Sequence, residues 1–95
     1  MGDARITETR YYDEYRDKKF ALLEKGQEVR IHRLHRFDKY HFENVYLCKV
    51  INPSDQSKNY GVYDGMIVEV YSEYLEVAEN VRRNEGLLYL CFESM

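Results

Sequence analysis

The chain has 95 residues with no tryptophan and only one proline, and it lacks any long apolar run. A membrane-spanning helix needs about 18 or more consecutive apolar residues, and no stretch approaches this length. Residues 1–5 also lack the apolar core of a signal peptide. These absences predict an intracellular, cytoplasmic protein with no membrane partner.

Cysteine is scarce, and both cysteines, Cys48 and Cys91, lie in apolar runs typical of strands. In a reducing cytosol such cysteines are most simply buried, and a disulfide would need their two strands to be adjacent and in register. A catalytic thiol needs exposure and a lowered pKa, which a buried Cys48 would not have. We predict no catalytic residue and no enzyme activity.

Three histidines, His32, His35 and His41, lie before Cys48 and raise the question of a metal site. Zinc sites usually take ligand pairs from a tight turn or from one helix face, and a His-x2-His pair on a strand provides neither. No Cys-x2-Cys pair accompanies them. We predict no metal and no other cofactor.

The composition is typical of a single folded domain over residues 1–95. Hydrophobic residues make up 44% of the chain and charged residues 33%, unlike disordered chains, which lack aromatic residues. The formal charge of −3 disfavours a general nucleic-acid coat, because such proteins carry a basic excess. Residues 1–60 hold twelve Lys/Arg and ten Asp/Glu, whereas residues 61–95 hold two and seven. The two parts should therefore present different electrostatic fields to a partner.

Residues 44–51 form the clearest candidate for a strand in the middle of a sheet. Val45 and Leu47 alternate with Tyr46 and Cys48, so both faces of this strand are mostly apolar. Such a strand needs cover on both sides. We predict a central strand over about 43–52. The other segments either pair with it in the sheet or pack on its faces.

The N-terminal part is assigned from local patterns. Tyrosines and leucines near helical spacing, followed by Gly26 as a stop, predict a helix. Val29 and Ile31 alternate with polar residues as in a half-buried strand, and the alternation slips near Arg33, where a bulge would restore it. The predicted segments are a loose N-terminus at 1–8, a helix over 10–25, a strand over 27–36, a connection over 37–42 and a mobile loop over 53–59.

The C-terminal part carries turn and cap signals. Asp-Gly at 64–65 is a strong hairpin signal, and Ser72 can cap a helix whose first turn is acidic and whose last turn is basic. The predicted segments are a hairpin of strands 60–63 and 66–71, a helix over 73–84 and a last strand over 87–92. An unpaired edge on the last strand would allow a homodimer.

These elements predict an α+β domain. It has an antiparallel sheet of four to five strands, an N-terminal helix, and a second helix before the last strand. A competing interpretation shortens residues 73–78 to a single turn, which leaves five strands that curl into a small SH3-like barrel.

The one dense basic run combines cations with aromatic rings. Its members within residues 30–42 are Arg30, Arg33, Arg36, Lys39, Phe37, Tyr40 and Phe42. Guanidinium groups beside stackable rings are typical of RNA-binding or single-strand-binding surfaces, and equally of protein interfaces. Residues three apart on a regular strand point to opposite faces, which weakens both hypotheses and leaves a solvated surface as a third alternative.

Tyrosine is unusually frequent, with ten residues in the chain. Its large ring and its hydroxyl suit binding surfaces, although small cores also use tyrosine at their rims. The sequence predicts two tyrosine patches, one of Tyr11, Tyr12 and Tyr15, and one of Tyr60, Tyr63 and Tyr71.

We predict a small non-enzymatic interaction protein, an adaptor or an inhibitor, for example of a nucleic-acid-handling enzyme. Its partner would be a protein, bound through Arg30, Arg33, Arg36, Lys39, Tyr40, Tyr60 and Tyr63. The alternative is a nucleic-acid-binding module that uses residues 30–42 to bind RNA or single-stranded DNA.

Overall fold

Side chains that alternate between buried and exposed mark strands along most of the chain. The computed structural model describes residues 2–77, and this region contains seven strands, one short α-helix and one 3₁₀ turn. The elements are β1 (Asp3–Ile6), β2 (Arg10–Glu14), β3 (Phe20–Leu23), β4 (Glu28–Asp38), β5 (Glu43–Val50), α1 (Asp55–Asn59), β6 (Ile67–Tyr71), the 3₁₀ turn (Ser72–Tyr74) and β7 (Leu75–Val77).

The seven strands form one antiparallel sheet in the order β3-β2-β6-β5-β4-β1-β7. The chain passes from β1 to β2 through residues 7–9 alone, yet these strands lie near opposite ends of that order. The four residue steps from Ile6 to Arg10 span roughly 14 Å at most, so the sheet curls into a half-barrel. Backbone hydrogen bonds from Ile6 N to Gln27 O (2.9 Å) and from Thr7 N to Tyr74 O (3.0 Å) hold the curled end together.

One face of the curled sheet carries the main hydrophobic core. Small and β-branched side chains dominate it, because they pack well on a pleated surface. Its buried members are Ala4, Ile6, Tyr12, Ala21, Leu23, Val29, Ile31, Cys48, Val50, Val62, Met66, Val68 and Val70. We call this side of the sheet the core face and the opposite side the outer face.

The predicted central strand is confirmed. β5 lies fourth in the order of seven and pairs with β4 on one side and β6 on the other. Cys48 and Val50 belong to the core, whereas Val45 and Leu47 alternate with them and are buried on the outer face. On that face, the paired neighbours of these two residues on β4 and β6 are Arg33, Arg36, Glu69 and Tyr71.

The predicted α+β fold with two helices is wrong, because the described region is mostly β. The expected helix over 10–25 is instead the hairpin of β2 and β3. Tyr11 and Asp13 are exposed while Tyr12 and Glu14 are buried, which is the two-residue period of a strand. Between the strands, Lys18 has a left-handed backbone (φ 59°), which a helix does not contain.

The polar N-terminus, expected to be loose, contains β1, which pairs with both β4 and β7. The expected mobile loop over 53–59 contains α1. Ser54 caps this helix by accepting a hydrogen bond from Ser57 N (3.1 Å). The buried Ser57 hydroxyl donates to Leu22 O (2.8 Å), so α1 is attached to the edge strand β3.

The Asp-Gly hairpin at 64–65 does not form, because residues 60–66 contain no strand. Gly65 does take positive φ (92°), but its N–H donates to Val50 O (2.8 Å), and β6 pairs with β2 and β5 instead. Residues 73–77 of the expected second helix lie in the 3₁₀ turn and β7. The rest of that helix, the strand over 87–92 and Cys91 lie outside the described residues.

The burial of Leu47 on the outer face predicts a measurable energetic role. We expect Leu47→Ala to lower the free energy of unfolding by about 2–5 kcal/mol, because it removes fully buried atoms and leaves a cavity. The half-exposed Leu34 on β4 is the control, and Leu34→Ala should cost about 1 kcal/mol or less. Urea denaturation measures the free energy of unfolding of both variants. Equal losses for the two variants would show that the outer face has no packed layer over β5.

Candidate functional site

The segment that enters the β4–β5 hairpin repeats a three-residue pattern. From residue 30 to residue 41 the order basic, apolar, then His or Asp occurs four times: 30–32, 33–35, 36–38 and 39–41. On a regular strand this period of three would scatter each residue type over both faces.

The register of β4 against β5 brings each type to one face instead. The pairs are Arg30 with Lys49, Ile31 with Cys48, Arg33 with Leu47, Leu34 with Tyr46, Arg36 with Val45 and Phe37 with Asn44. Residues 45, 47 and 49 of β5 share a face, and paired residues project to the same side of the sheet. Arg30, Arg33 and Arg36 therefore all lie on the outer face.

Two β-bulges on β4 produce this arrangement. The register shifts between Ile31 and Arg33 and again between Leu34 and Arg36, so His32 and His35 are the extra residues. Each bulge uses one residue without advancing the pairing, which turns a spacing of three into an effective spacing of two. The sequence predicted one bulge near Arg33, and the structure has one on each side of it.

The hairpin consequently has two walls of different chemistry. The outer wall consists of Arg30, Arg33 and Arg36, and the inner wall consists of Leu34, Phe37 and Phe42. Exposure on the inner side rises from 6% at Ile31 to 48% at Leu34 and 51% at Phe37, so the hairpin extends past the core. The Phe42 ring packs edge-on against Phe37 with 5.4 Å between ring centroids.

Asp38 fixes the loop that joins the two strands. Its carboxylate accepts hydrogen bonds from Tyr40 N (2.9 Å) and His41 N (3.1 Å), lies 3.0 Å from His41 Nδ1, and accepts from the Tyr71 hydroxyl. The hydrogen bonds from Tyr71 and then from His41 hold the pKa of Asp38 well below its ordinary value. The hydrogen bond to Asp38 in turn raises the pKa of Tyr71. The loop is therefore held both to its own strand and to β6.

Phe42 adopts the left-handed backbone conformation, with φ of 58°. For residues other than glycine and asparagine this conformation is costly, at roughly 1–2 kcal/mol. The side chain gains little burial in return, since 81% of it is exposed. The cost of this backbone conformation is therefore not offset by burial of the ring.

A cleft of about 210 Å³ opens beside the hairpin loop. Tyrosines and charged groups from β2, β6, the 3₁₀ turn and the loop line it, namely Arg10, Tyr11, Tyr12, Asp13, His41, Glu69, Tyr71, Glu73 and Tyr74. Arg10 lies over the Tyr74 ring, with its guanidinium carbon 4.4 Å from the ring centroid. His41 packs edge-on against Tyr71 at 5.3 Å, which connects the cleft with the hairpin loop.

Carboxylates neighbour two of the three outer-wall arginines. Arg30 pairs with Asp3 at 2.9 Å, and Arg36 lies 3.8 Å from both Asp38 and Glu69. Within residues 2–77, Arg33 has no carboxylate within 4 Å. Arg33 is thus the outer-wall cation most available to a partner.

The structure brings together only part of the predicted site. Lys39 and Tyr40 lie in the hairpin loop beside the arginines, and Tyr40 is 91% exposed. Tyr60 and Tyr63 lie between α1 and β6, near the opposite end of β5, and this eight-residue strand spans roughly 26 Å. The two groups therefore belong to different regions of the surface.

The tyrosine patches also differ from those predicted. Tyr12 is buried and donates to Glu8 O (2.6 Å), and Tyr15 packs against His35 at 5.4 Å, so neither forms a patch with Tyr11. Tyr71 joins Tyr11 in the cleft rather than the distant Tyr60 and Tyr63. The patches were mispredicted because strand pairing decides which tyrosines lie together, and local sequence patterns do not give strand pairing.

The histidines and the buried cysteine have separate surroundings. His32 and His35 occupy the bulges and His41 binds Asp38, and no group of three or more His, Cys, Asp or Glu able to hold a metal occurs in the described part of the chain. Cys48 is buried as predicted, and burial raises its pKa to about 12. Its thiol is therefore protonated and shielded from solvent.

Comparisons with protein-family models, curated proteins and solved structures found no match to this chain. In the described region, none of the helices is long and apolar enough to cross a membrane.

The lowered pKa of Asp38 predicts a pH dependence of stability. Its stabilising contribution is complete above the ordinary Asp pKa of about 4 and is lost as the pH falls from there towards the lower folded-state pKa. We expect Asp38→Asn to lower the melting temperature at neutral pH and the difference from wild type to shrink below about pH 4. Thermal unfolding of both proteins across this pH range measures the difference in melting temperature. A difference that stays constant with pH would contradict the role given to Asp38.

The backbone of Phe42 predicts an unusual response to glycine. Phe42→Gly relieves the backbone strain of a left-handed residue. Phe20→Gly is the control, because it also removes an exposed ring but from a β3 position whose backbone is not left-handed. We expect Phe42→Gly to be at least about 1 kcal/mol less destabilising than Phe20→Gly, because glycine weakens a strand but favours positive φ. Urea denaturation compares the two variants. Equal destabilisation would show that Phe42 is not strained.

Proposed function

We propose that this chain is a small non-enzymatic interaction protein of the cytoplasm, an adaptor or inhibitor that binds a protein partner with its outer face. The observation that carries this proposal is the alignment of three arginines, which two bulges place on the same face as a tyrosine-lined cleft. The narrower expectation, an inhibitor of a nucleic-acid-handling enzyme, stays a prediction.

The residue types on this face support a protein partner. Arginine and tyrosine are enriched among the residues that contribute most to binding at protein interfaces. Tyr11 on β2 is 57% exposed, and Arg33, which lies three strands away on β4, is exposed on the same face. Tyrosine also offers a large contact area with little loss of rotamer entropy.

The local charge balance favours a protein over a polyanion. Arg30 and Arg36 already have carboxylate neighbours, and Asp13, Glu69 and Glu73 line the cleft. A phosphate backbone approaching this face would meet those carboxylates as well as the cations. A protein surface can present both signs of charge to match them.

Nucleic-acid binding is the second candidate. The alignment of Arg30, Arg33 and Arg36 on one face favours it, and the exposed ring of Tyr40 is available for stacking on a base. In that case, binding to short RNA or single-stranded DNA should be present at about 50 mM salt and fall steeply as salt increases. Absence of binding at about 50 mM salt excludes this candidate.

For the protein-binding proposal, we expect Arg33→Ala and Tyr11→Ala each to weaken partner binding about tenfold or more. The partner is first identified by affinity capture from the native source, and calorimetry with the purified partner then measures the dissociation constants. Both side chains are exposed, so neither variant should unfold the protein.

The matched control for Tyr11 is Tyr60, which is 59% exposed and lies at the other end of β5. Tyr60→Ala and Lys58→Ala on α1 should leave the dissociation constant unchanged. If these two controls weaken binding and the outer-face variants do not, the partner binds elsewhere and the outer face is not the interface.

A further inference from the structure

The exposed end of the hairpin separates apolar and basic groups onto opposite walls. Leu34, Phe37 and Phe42 are 48%, 51% and 81% exposed on the inner wall. Arg33 and Arg36 project from the outer wall. Large rings exposed together on a soluble domain usually mark a contact surface.

Phe42 shows that the rings are not there for stability. Its backbone is left-handed, a conformation that glycine or asparagine adopts more easily, and its ring packs edge-on against Phe37, which is itself half exposed. Strained residues of this kind concentrate at ligand-binding and functional sites. The strain places the two rings side by side on one wall.

The hairpin loop is also held in one conformation before any partner binds. Asp38 accepts bonds from two loop N–H groups and from Tyr71 on the neighbouring β6. A preorganised contact surface loses less conformational entropy on binding than a mobile one. The hairpin is therefore suited to enter a partner as a rigid body.

We propose that the β4–β5 hairpin inserts into a groove of the protein partner. One wall of that groove is apolar and packs on Phe37 and Phe42, and the facing wall carries carboxylates that meet Arg33. This inference rests on the proposed protein-binding function and names the chemistry of the partner's surface.

The separation of the two walls favours a groove over a lipid surface. Interfacial membrane binding needs rings and cations to face the same plane, with the rings in the boundary region and the cations near anionic headgroups. Here the rings and the arginines face opposite sides of the hairpin, and Arg36 is engaged with Asp38 and Glu69. A groove contacts both sides at once.

The test uses the full chain with the photoreactive residue p-benzoylphenylalanine in place of Phe42, and a second form with it in place of Phe20. Phe20 is 70% exposed on β3 and is the matched control. In extracts of the native source, we expect the probe at position 42 to cross-link a protein and the probe at position 20 not to. Cross-linking only to lipid, only to a second copy or only within the chain would overturn the proposal.

The cross-linked protein is then purified, and its dissociation constants for wild type and variants test whether the hairpin inserts into it. We expect Phe42→Gly and Phe37→Ala each to raise the dissociation constant about tenfold or more, while Phe20→Gly leaves it unchanged. Phosphatidylserine-containing vesicles should bind neither wild type nor variants. If Arg33→Ala and Tyr11→Ala weaken binding but Phe42→Gly does not, the hairpin insertion is wrong and the protein-binding function stands. If none of these variants weakens binding, both the hairpin insertion and the outer-face binding proposal are wrong.

Discussion

The arrangement of this protein's surface depends on two extra residues in one strand. Without the bulges at His32 and His35, the period of three along β4 would mix arginine, histidine and apolar side chains on each face. With them, arginine always projects outward, and the apolar residue of each triplet projects to the core side. Each histidine occupies the bulge, where a residue does not pair across the strand.

The same arrangement explains the burial of β5. A central apolar strand must be packed on both faces. The hydrophobic core of the curled sheet packs against only one face of β5, the face of Cys48 and Val50. On the other face Val45 and Leu47 are buried beside Arg36 and Arg33, whose alkyl stems can lie on apolar surface while the charged ends stay in water. Both arginines therefore lie beside buried outer-face residues and belong to the candidate binding face, and the ion pairs of Arg36 with Asp38 and Glu69 hold part of that face in place.

The fold could be predicted only where one strand's own pattern determines its structure. β5 was predictable because both of its faces are mostly apolar, and the first half of β4 because Val29 and Ile31 alternate with polar residues. The helix over 10–25 was mispredicted because tyrosines at strand spacing also fall near helical spacing, and only pairing of Tyr12 with Ala21 distinguishes the two. The Asp-Gly hairpin failed since Gly65 turns the chain towards Val50 rather than back along residues 60–63. Of the predicted site, the arginine run was found by spacing, whereas its common face and its separation from Tyr60 follow only from register.

The register of β4 against β5 is the central claim, and nuclear Overhauser effects between the two backbones measure it directly in solution. The structure requires contacts of Arg33 with Leu47, Leu34 with Tyr46 and Arg36 with Val45. A continuous ladder without bulges would instead pair His32 with Leu47 and Arg33 with Tyr46. That pattern would move Arg33 to the core face and contradict the account of the outer face and the hairpin.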